Sequence, residues 1–177
     1  MVAEQNRISW TTLSSGLQVP SRDGRFLCSQ RDPQREAQNW MDMHRQFCTF
    51  GDVIVVMGLG AGFHLDLLLK EFSTLRVDVI ELCPVLIESW TEKNPDAKDR
   101  VNFLSSSDLS EFELVKQKMP VILDYRPAQW GLEGQYQRIF EFLLGGDVSI
   151  KNIAQDLSVN DQSLDAKTWR ALEELVQ

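Results

Sequence analysis

The chain of 177 residues has only three cysteines, which are widely spaced and form no Cys-x-x-Cys pair: Cys28, Cys48 and Cys83. An odd number of cysteines without a pairing pattern argues against a disulfide framework, and it favours reduced thiols and a cytoplasmic location. Only two histidines are present. They are too few for an all-histidine metal site, so we expect no bound metal.

Long apolar runs are also missing from the sequence. The longest covers residues 53–63, contains three glycines and is too short to span a bilayer. The first residues lack the basic-then-apolar pattern of a signal peptide. We therefore expect no membrane partner.

Basic side chains are scarce. The chain has 18 lysines and arginines against 26 acidic residues, a net charge of −8 and a pI of about 4.8, without a basic stripe. This charge opposes attraction to phosphate backbones, so we expect no nucleic-acid partner. Apolar residues at 43% and charged residues at 25% are typical of a globular chain, and the length suits one domain with a small appendage.

The first 50 residues combine short strands with one helix. Residues 8–13 are rich in β-branched and aromatic side chains, and Asp23-Gly24 is a strong hairpin signal. Asp32-Pro33 is typical of a helix start, with Asp32 as N-cap. Apolar residues then recur at helical spacing up to about Gly51.

The centre of the sequence alternates strands and helices. Residues 53–57, 76–80, 101–104 and 120–123 are predicted strands, and each is followed by a helical pattern. Ser110-x-x-Glu113 is a capping box for the third of these helices. Repeated β-α-β units predict an α/β, Rossmann-like fold over residues 1–145, with a parallel sheet of strand order 3-2-1-4 and helices on both faces. Residues 146–177 form a predicted helical pair, a C-terminal appendage that could dock a protein partner.

A glycine-rich turn joins the first strand of this sheet to its helix. Gly58, Gly60 and Gly62 lie in this turn, where missing Cβ atoms let a ligand approach the backbone. Glu81 ends the next strand, about 20 residues past Gly62, where a carboxylate accepts both ribose hydroxyls of a bound nucleotide. The turn therefore predicts an adenosine- or nucleotide-type ligand at the carboxyl ends of the first two strands. The alternative is that the glycines serve only a tight turn.

The dinucleotide fingerprint has a small residue at the position of Phe63, so this sequence departs from it. The glycine pattern instead resembles the first motif of class I S-adenosylmethionine-dependent methyltransferases. The resemblance implies S-adenosylmethionine as cofactor, held by the glycines and by Glu81. It also implies that Asp108 faces the adenine and that Asp124 contacts ligand or substrate. Methyl transfer is the enzymatic hypothesis, with no catalytic residue assigned.

A second resemblance covers roughly residues 16–90. Ser-x-x-Asp32-Pro33-x-x-Glu36-Ala, followed by Gly-x-Gly-x-Gly-Phe-His64, is similar to the N-terminal part of the motility accessory factors. These are flagellin glycosyltransferases related to 6-hydroxymethylpterin diphosphokinase-like proteins. The resemblance implies a Rossmann-like accessory domain without glycosyl transfer. The nonenzymatic hypothesis is therefore a noncatalytic accessory or protein-interaction module of a motility or surface-glycosylation system.

His64 lies in the first turn of the helix after the glycines, where the positive end of the helix dipole disfavours its charged form. We expect it to contact a bound anion or to act as a neutral donor. A histidine that only packs in the turn is the alternative.

Overall fold

The computed structural model describes residues 7–49 and 53–145, which form an α/β fold with a Rossmann-like parallel sheet. The predicted C-terminal helical pair lies outside the described residues. Within them, no helix is both long enough and apolar enough to cross a membrane.

A small antiparallel sheet precedes the parallel one. It has the order β1-β2-β3, with β1 at Ile8–Thr12, β2 at Gln18–Arg22 and β3 at Arg25–Phe26. Asp23 and Gly24 connect β2 to β3 with φ angles of 49° and 83°, the positive values that a two-residue hairpin turn needs. The predicted N-terminal β extension is confirmed.

The parallel sheet has the strand order β6-β5-β4-β7, which is the predicted 3-2-1-4. Its strands are β4 (Ile54–Met57), β5 (Val77–Ile80), β6 (Val101–Leu104) and β7 (Val121–Asp124). All four residues of β4 are buried, as expected for a central strand that is covered on both faces. The strand order reverses between β4 and β7. Open α/β sheets bind ligands at such a reversal. The reversal lies one strand away from the carboxyl ends of β4 and β5, where the sequence predicted the ligand.

Within residues 7–49 and 53–145, five α-helices cover the two faces of this sheet. They are α1 (Pro33–His44), α2 (Phe63–Glu71), α3 (Pro84–Lys93), α4 (Glu113–Gln117) and α5 (Glu133–Leu143). One core cluster joins Ile54 and Val56 of β4 to α1, α2 and α3. The other joins Val55 and Met57 to α4 and α5. The alternation along β4 therefore divides the core into two layers.

The structure differs from the sequence prediction at two helix ends. The first helix was expected to reach Gly51, but α1 ends at His44 and a 3-10 helix continues at Arg45–Thr49. The expected capping box at Ser110 is wrong as well. Asp108 caps that segment instead by accepting from the Ser110 N–H, because a 3-10 turn, Leu109–Phe112, precedes α4. The N-cap at Asp32 is confirmed, since its carboxylate accepts from the N–H of Arg35 at 2.9 Å.

Candidate functional site

Glu81, at the carboxyl end of β5, is completely buried, and both oxygens of its carboxylate accept hydrogen bonds from backbone N–H groups. Its Oε2 accepts the N–H of Leu59 in the glycine turn at 2.8 Å, and its Oε1 accepts the N–H of Cys83 at 2.9 Å. Burial raises the pKa of the Glu81 carboxyl, although these N–H groups and Arg22 counteract the effect. The carboxylate therefore ties the glycine turn to the start of α3.

Arg22, at the end of β2, is the charged neighbour of Glu81. Its Nη2 lies 3.8 Å from Glu81 Oε1, and neither side chain is exposed. Its Nη1 donates to the carbonyls of Ala128 and Trp130. Nothing in the sequence indicates this position, because an arginine at a strand end, just before an Asp-Gly turn, usually lies in solvent.

The glycine turn is closely packed by the protein itself. A Cβ on Gly60 would lie 2.8 Å from the carbonyl oxygen of Leu27, and a Cβ on Gly62 would lie 2.2 Å from Cδ1 of Trp90. Both glycines have positive φ, 54° and 81°. Gly62 is also the N-cap of α2 and has a left-handed conformation. The internal packing thus requires glycine at these positions, as the tight-turn alternative expects.

His64 is buried and forms a hydrogen bond with the backbone of the glycine turn. Its Nε2 lies 3.1 Å from the carbonyl oxygen of Gly58, and its ring stacks on Tyr125 at a centroid distance of 3.9 Å. Burial lowers the pKa of His64 from 6.5 to about 3, so the ring is neutral at physiological pH. The neutral ring therefore donates a hydrogen bond to the protein's own backbone at Gly58.

Asp124 belongs to an open crevice at the reversal between β4 and β7. The crevice has a volume of about 290 Å³, and its lining residues come from the ends of both strands, the following loop and α5: Met57, Asp124, Arg126, Gln129, Glu133, Tyr136, Gln137 and Phe140. The Asp124 carboxylate accepts from Gln129 and, at 3.0 Å, from Nε of Arg126. Its side chain is 34% exposed, so it remains accessible to a ligand.

Tyr136 connects the crevice to the buried carboxylate. The residue lines the crevice, while its hydroxyl accepts the N–H of Leu82, next to Glu81, at 3.2 Å. Burial and the nearby Glu81 raise the pKa of the Tyr136 phenol. Tyr136, Ile139 and Leu143 recur at helical spacing and are buried along α5. This spacing indicates burial of Tyr136 but not the partner of its hydroxyl.

Asp108 lies apart from this network. It is exposed, and its carboxylate accepts from the N–H and the hydroxyl of Ser110, which lower its pKa. The structure therefore joins the glycine turn, His64 and Glu81 in one network and places Asp124 in the adjoining crevice. The ligand-binding roles assigned to these residues from the sequence remain predictions.

Comparison with solved structures finds a match to a MAf glycosyltransferase from Magnetospirillum magneticum AMB-1, with 9% identity and a TM-score of 0.44. The match covers 79% of this chain but 32% of the glycosyltransferase, so the chain spans about a third of that protein's length. MAf proteins are the family that the N-terminal sequence motif resembles. Neither the family models nor the curated proteins give a match.

The contact between Gly62 and Trp90 predicts a large loss of stability in Gly62→Ala. The new Cβ overlaps the indole and the positive φ adds backbone strain, so we expect the free energy of unfolding to fall by about 2 kcal/mol or more. Gly16→Ala is the matched control, because Gly16 has a φ of 83° and no atom within 4 Å of its Cβ position. It should lose about 1 kcal/mol from backbone strain alone. Urea denaturation measures both, and equal losses would contradict the packing argument.

The neutral state of His64 predicts a loss of stability in acid. Between pH 6.5 and about 3 the unfolded chain binds a proton at this residue that the folded chain does not, so stability falls as the pH falls. The contribution approaches about 1.4 kcal/mol per pH unit. His64→Gln keeps an amide donor for Gly58 but cannot titrate.

Urea denaturation of both proteins from pH 7.5 to 4.5 checks this expectation. The wild type should lose stability more steeply below pH 6.5 than His64→Gln, so the difference between the two free energies changes with pH. A constant difference across the range would show that His64 does not carry the effect.

Proposed function

We propose that this chain binds an adenosine- or nucleotide-type small ligand at the carboxyl edge of its parallel sheet. The observation that carries the proposal is the open crevice between the ends of β4 and β7, at the reversal of strand order. Open α/β sheets bind ligands in this position because the strand ends and the following loops diverge there.

The side chains of the crevice suit a nucleoside. The Asp124 carboxylate and the amides of Gln129 and Gln137 offer acceptors and donors for hydroxyl and amino groups, while the half-buried Phe140 offers aromatic surface for a base. The volume of about 290 Å³ lies at the lower end of the range for small-ligand pockets, about 300–1,000 Å³. A nucleoside fits this size better than a dinucleotide does.

In the proposed complex the glycine turn and His64 border the ligand, Glu81 receives the ribose and Asp108 approaches the adenine. None of these residues lines the crevice in the structure, and Glu81 and His64 are buried, so these contacts require the site to open. S-adenosylmethionine is the ligand if the protein is an enzyme. Methyl transfer then needs the cofactor and the acceptor to be held together in the right orientation, and it needs little acid–base chemistry. Asp124 is the residue that we propose to contact the ligand directly.

One observation favours a noncatalytic alternative. Both oxygens of Glu81 already accept backbone N–H groups, and the glycines are packed against the protein's own atoms. In this alternative the fold is an accessory or protein-interaction module. Its assignment to a motility or surface-glycosylation system rests on the sequence motif.

Isothermal titration with adenosine monophosphate, S-adenosylmethionine, S-adenosylhomocysteine, NAD and a sugar nucleotide tests the proposal. We expect one saturable ligand, which at about 100 times its Kd adds roughly 2.7 kcal/mol of stability. Asp124→Asn removes the negative charge of this side chain and should weaken the binding of that ligand about tenfold, equivalent to about 1.4 kcal/mol.

Asp78→Asn is the matched control. Asp78 also accepts a side-chain amide, from Asn102 at 2.7 Å, but it lies within β5 and lines a cavity near the opposite, amino end of the sheet. Its substitution should leave the affinity unchanged. Saturable binding that responds equally to both substitutions would move the site away from the crevice, and the absence of binding by all five compounds would favour the accessory module.

A further inference from the structure

Arg22 is a fully buried guanidinium that makes fewer hydrogen bonds than it can donate. Nη1 reaches two carbonyl oxygens, those of Ala128 at 3.3 Å and Trp130 at 2.5 Å, but Nε and Nη2 have no hydrogen-bond acceptor. Unpaired buried N–H groups are costly, and an apolar side chain of similar volume is often at least as stable in such a place. The charge of Arg22 offsets the desolvation of Glu81, but that role does not account for the unpaired Nε and Nη2.

The unpaired side of Arg22 points to Glu81. Nη2 lies 3.8 Å from Oε1, which is an ion-pair distance without a hydrogen bond. The two backbone N–H groups use one acceptor position on each oxygen of Glu81, and of the two positions that remain one faces the Tyr136 hydroxyl. The guanidinium occupies space from which ligand hydroxyls would have to approach this carboxylate.

We infer that the Arg22 guanidinium occupies the position that the ribose of a bound nucleotide takes beside Glu81. Residues 22–26 then form a cover that the ligand displaces. The inference rests on the proposed function and deepens it, since it specifies a ligand with free ribose hydroxyls and the residue that must yield to it. Asp23, Gly24 and Arg25 are exposed, whereas Leu27 is buried in the main core. Displacement of residues 22–26 therefore breaks the pairing of β2 with β3 and the pairing of Arg22 with Ile8 at the end of β1.

Movement of this cover also enlarges the crevice. The carbonyls that hold Arg22 belong to Ala128 and Trp130, and these residues flank Gln129 in the crevice lining. Release of Arg22 frees this loop on one side, while on the other Tyr136 both lines the crevice and bonds Leu82, the neighbour of Glu81. The crevice and the buried carboxylate then become one site.

Titration of adenosine monophosphate into the wild type, Arg22→Met and Arg31→Met tests the inference. Arg22→Met removes the competing cation but keeps an apolar side chain of similar reach, so we expect at least tenfold tighter binding than in the wild type. Arg31→Met is the matched control, because Arg31 is exposed and lies outside residues 22–26. It should bind like the wild type. With 2′-deoxyadenosine monophosphate the gain of Arg22→Met should shrink, because one hydroxyl is missing.

Hydrogen–deuterium exchange on the wild type covers the case in which Arg22→Met does not fold. Adenosine monophosphate should increase deuterium uptake in residues 22–26, because the ligand displaces the cover. Binding with unchanged or lower uptake there, or affinity in a folded Arg22→Met equal to or below that of the wild type, would overturn the inference and leave the proposed function standing. The absence of binding in every protein would instead overturn the proposed function, and the cover with it.

Discussion

The carboxyl edge of the sheet depends on one interaction, the acceptance of two backbone N–H groups by the buried carboxylate of Glu81. Leu59 follows β4 and Cys83 follows β5, so a single side chain fixes how both chains leave the sheet. Those N–H groups would otherwise be unpaired in the interior, where each would cost about 1–3 kcal/mol. The carboxylate satisfies both and stays buried because they and Arg22 offset its desolvation.

The glycine turn follows from the same constraint. With Leu59 held on Glu81, the chain has to reach α2 within a few residues, beneath Leu27 and beside Trp90. His64 then closes the turn from the helix side through the carbonyl of Gly58. A glycine-rich sequence, a neutral histidine and an acidic residue one strand away thus form one hydrogen-bonded unit, which is consistent with a purely structural role as well as with a binding site.

The fold was predictable because its signals are local. The β-branched run that became β4 and the proline that starts α3 each determine their element from a few neighbouring residues, and β-α-β repetition then determines strand order. The site was less predictable because its partners are distant in sequence. Nothing in the sequence around Arg22 or Tyr136 indicates that both lie beside Glu81. Nothing around Gly62 indicates that it packs against Trp90. The predicted cap of the segment before α4 was wrong because Asp108 and Ser110 are both good capping residues. The 3-10 turn at Leu109–Phe112 places Asp108, and not Ser110, in the capping position.

Structural and ligand-binding roles of Glu81 are compatible in physical terms. An ionised carboxylate has about four acceptor positions, of which the N–H groups of Leu59 and Cys83 use two and the Tyr136 hydroxyl faces a third. The two roles therefore differ only in what fills the remaining positions. In the structure the nearest cation, Arg22, lies beside them without a hydrogen bond, at a distance that neither pairs it fully nor leaves room for a ligand. A residue retained solely for packing would gain from being apolar, whereas a residue that has to yield to hydroxyl groups gains from an incomplete bond.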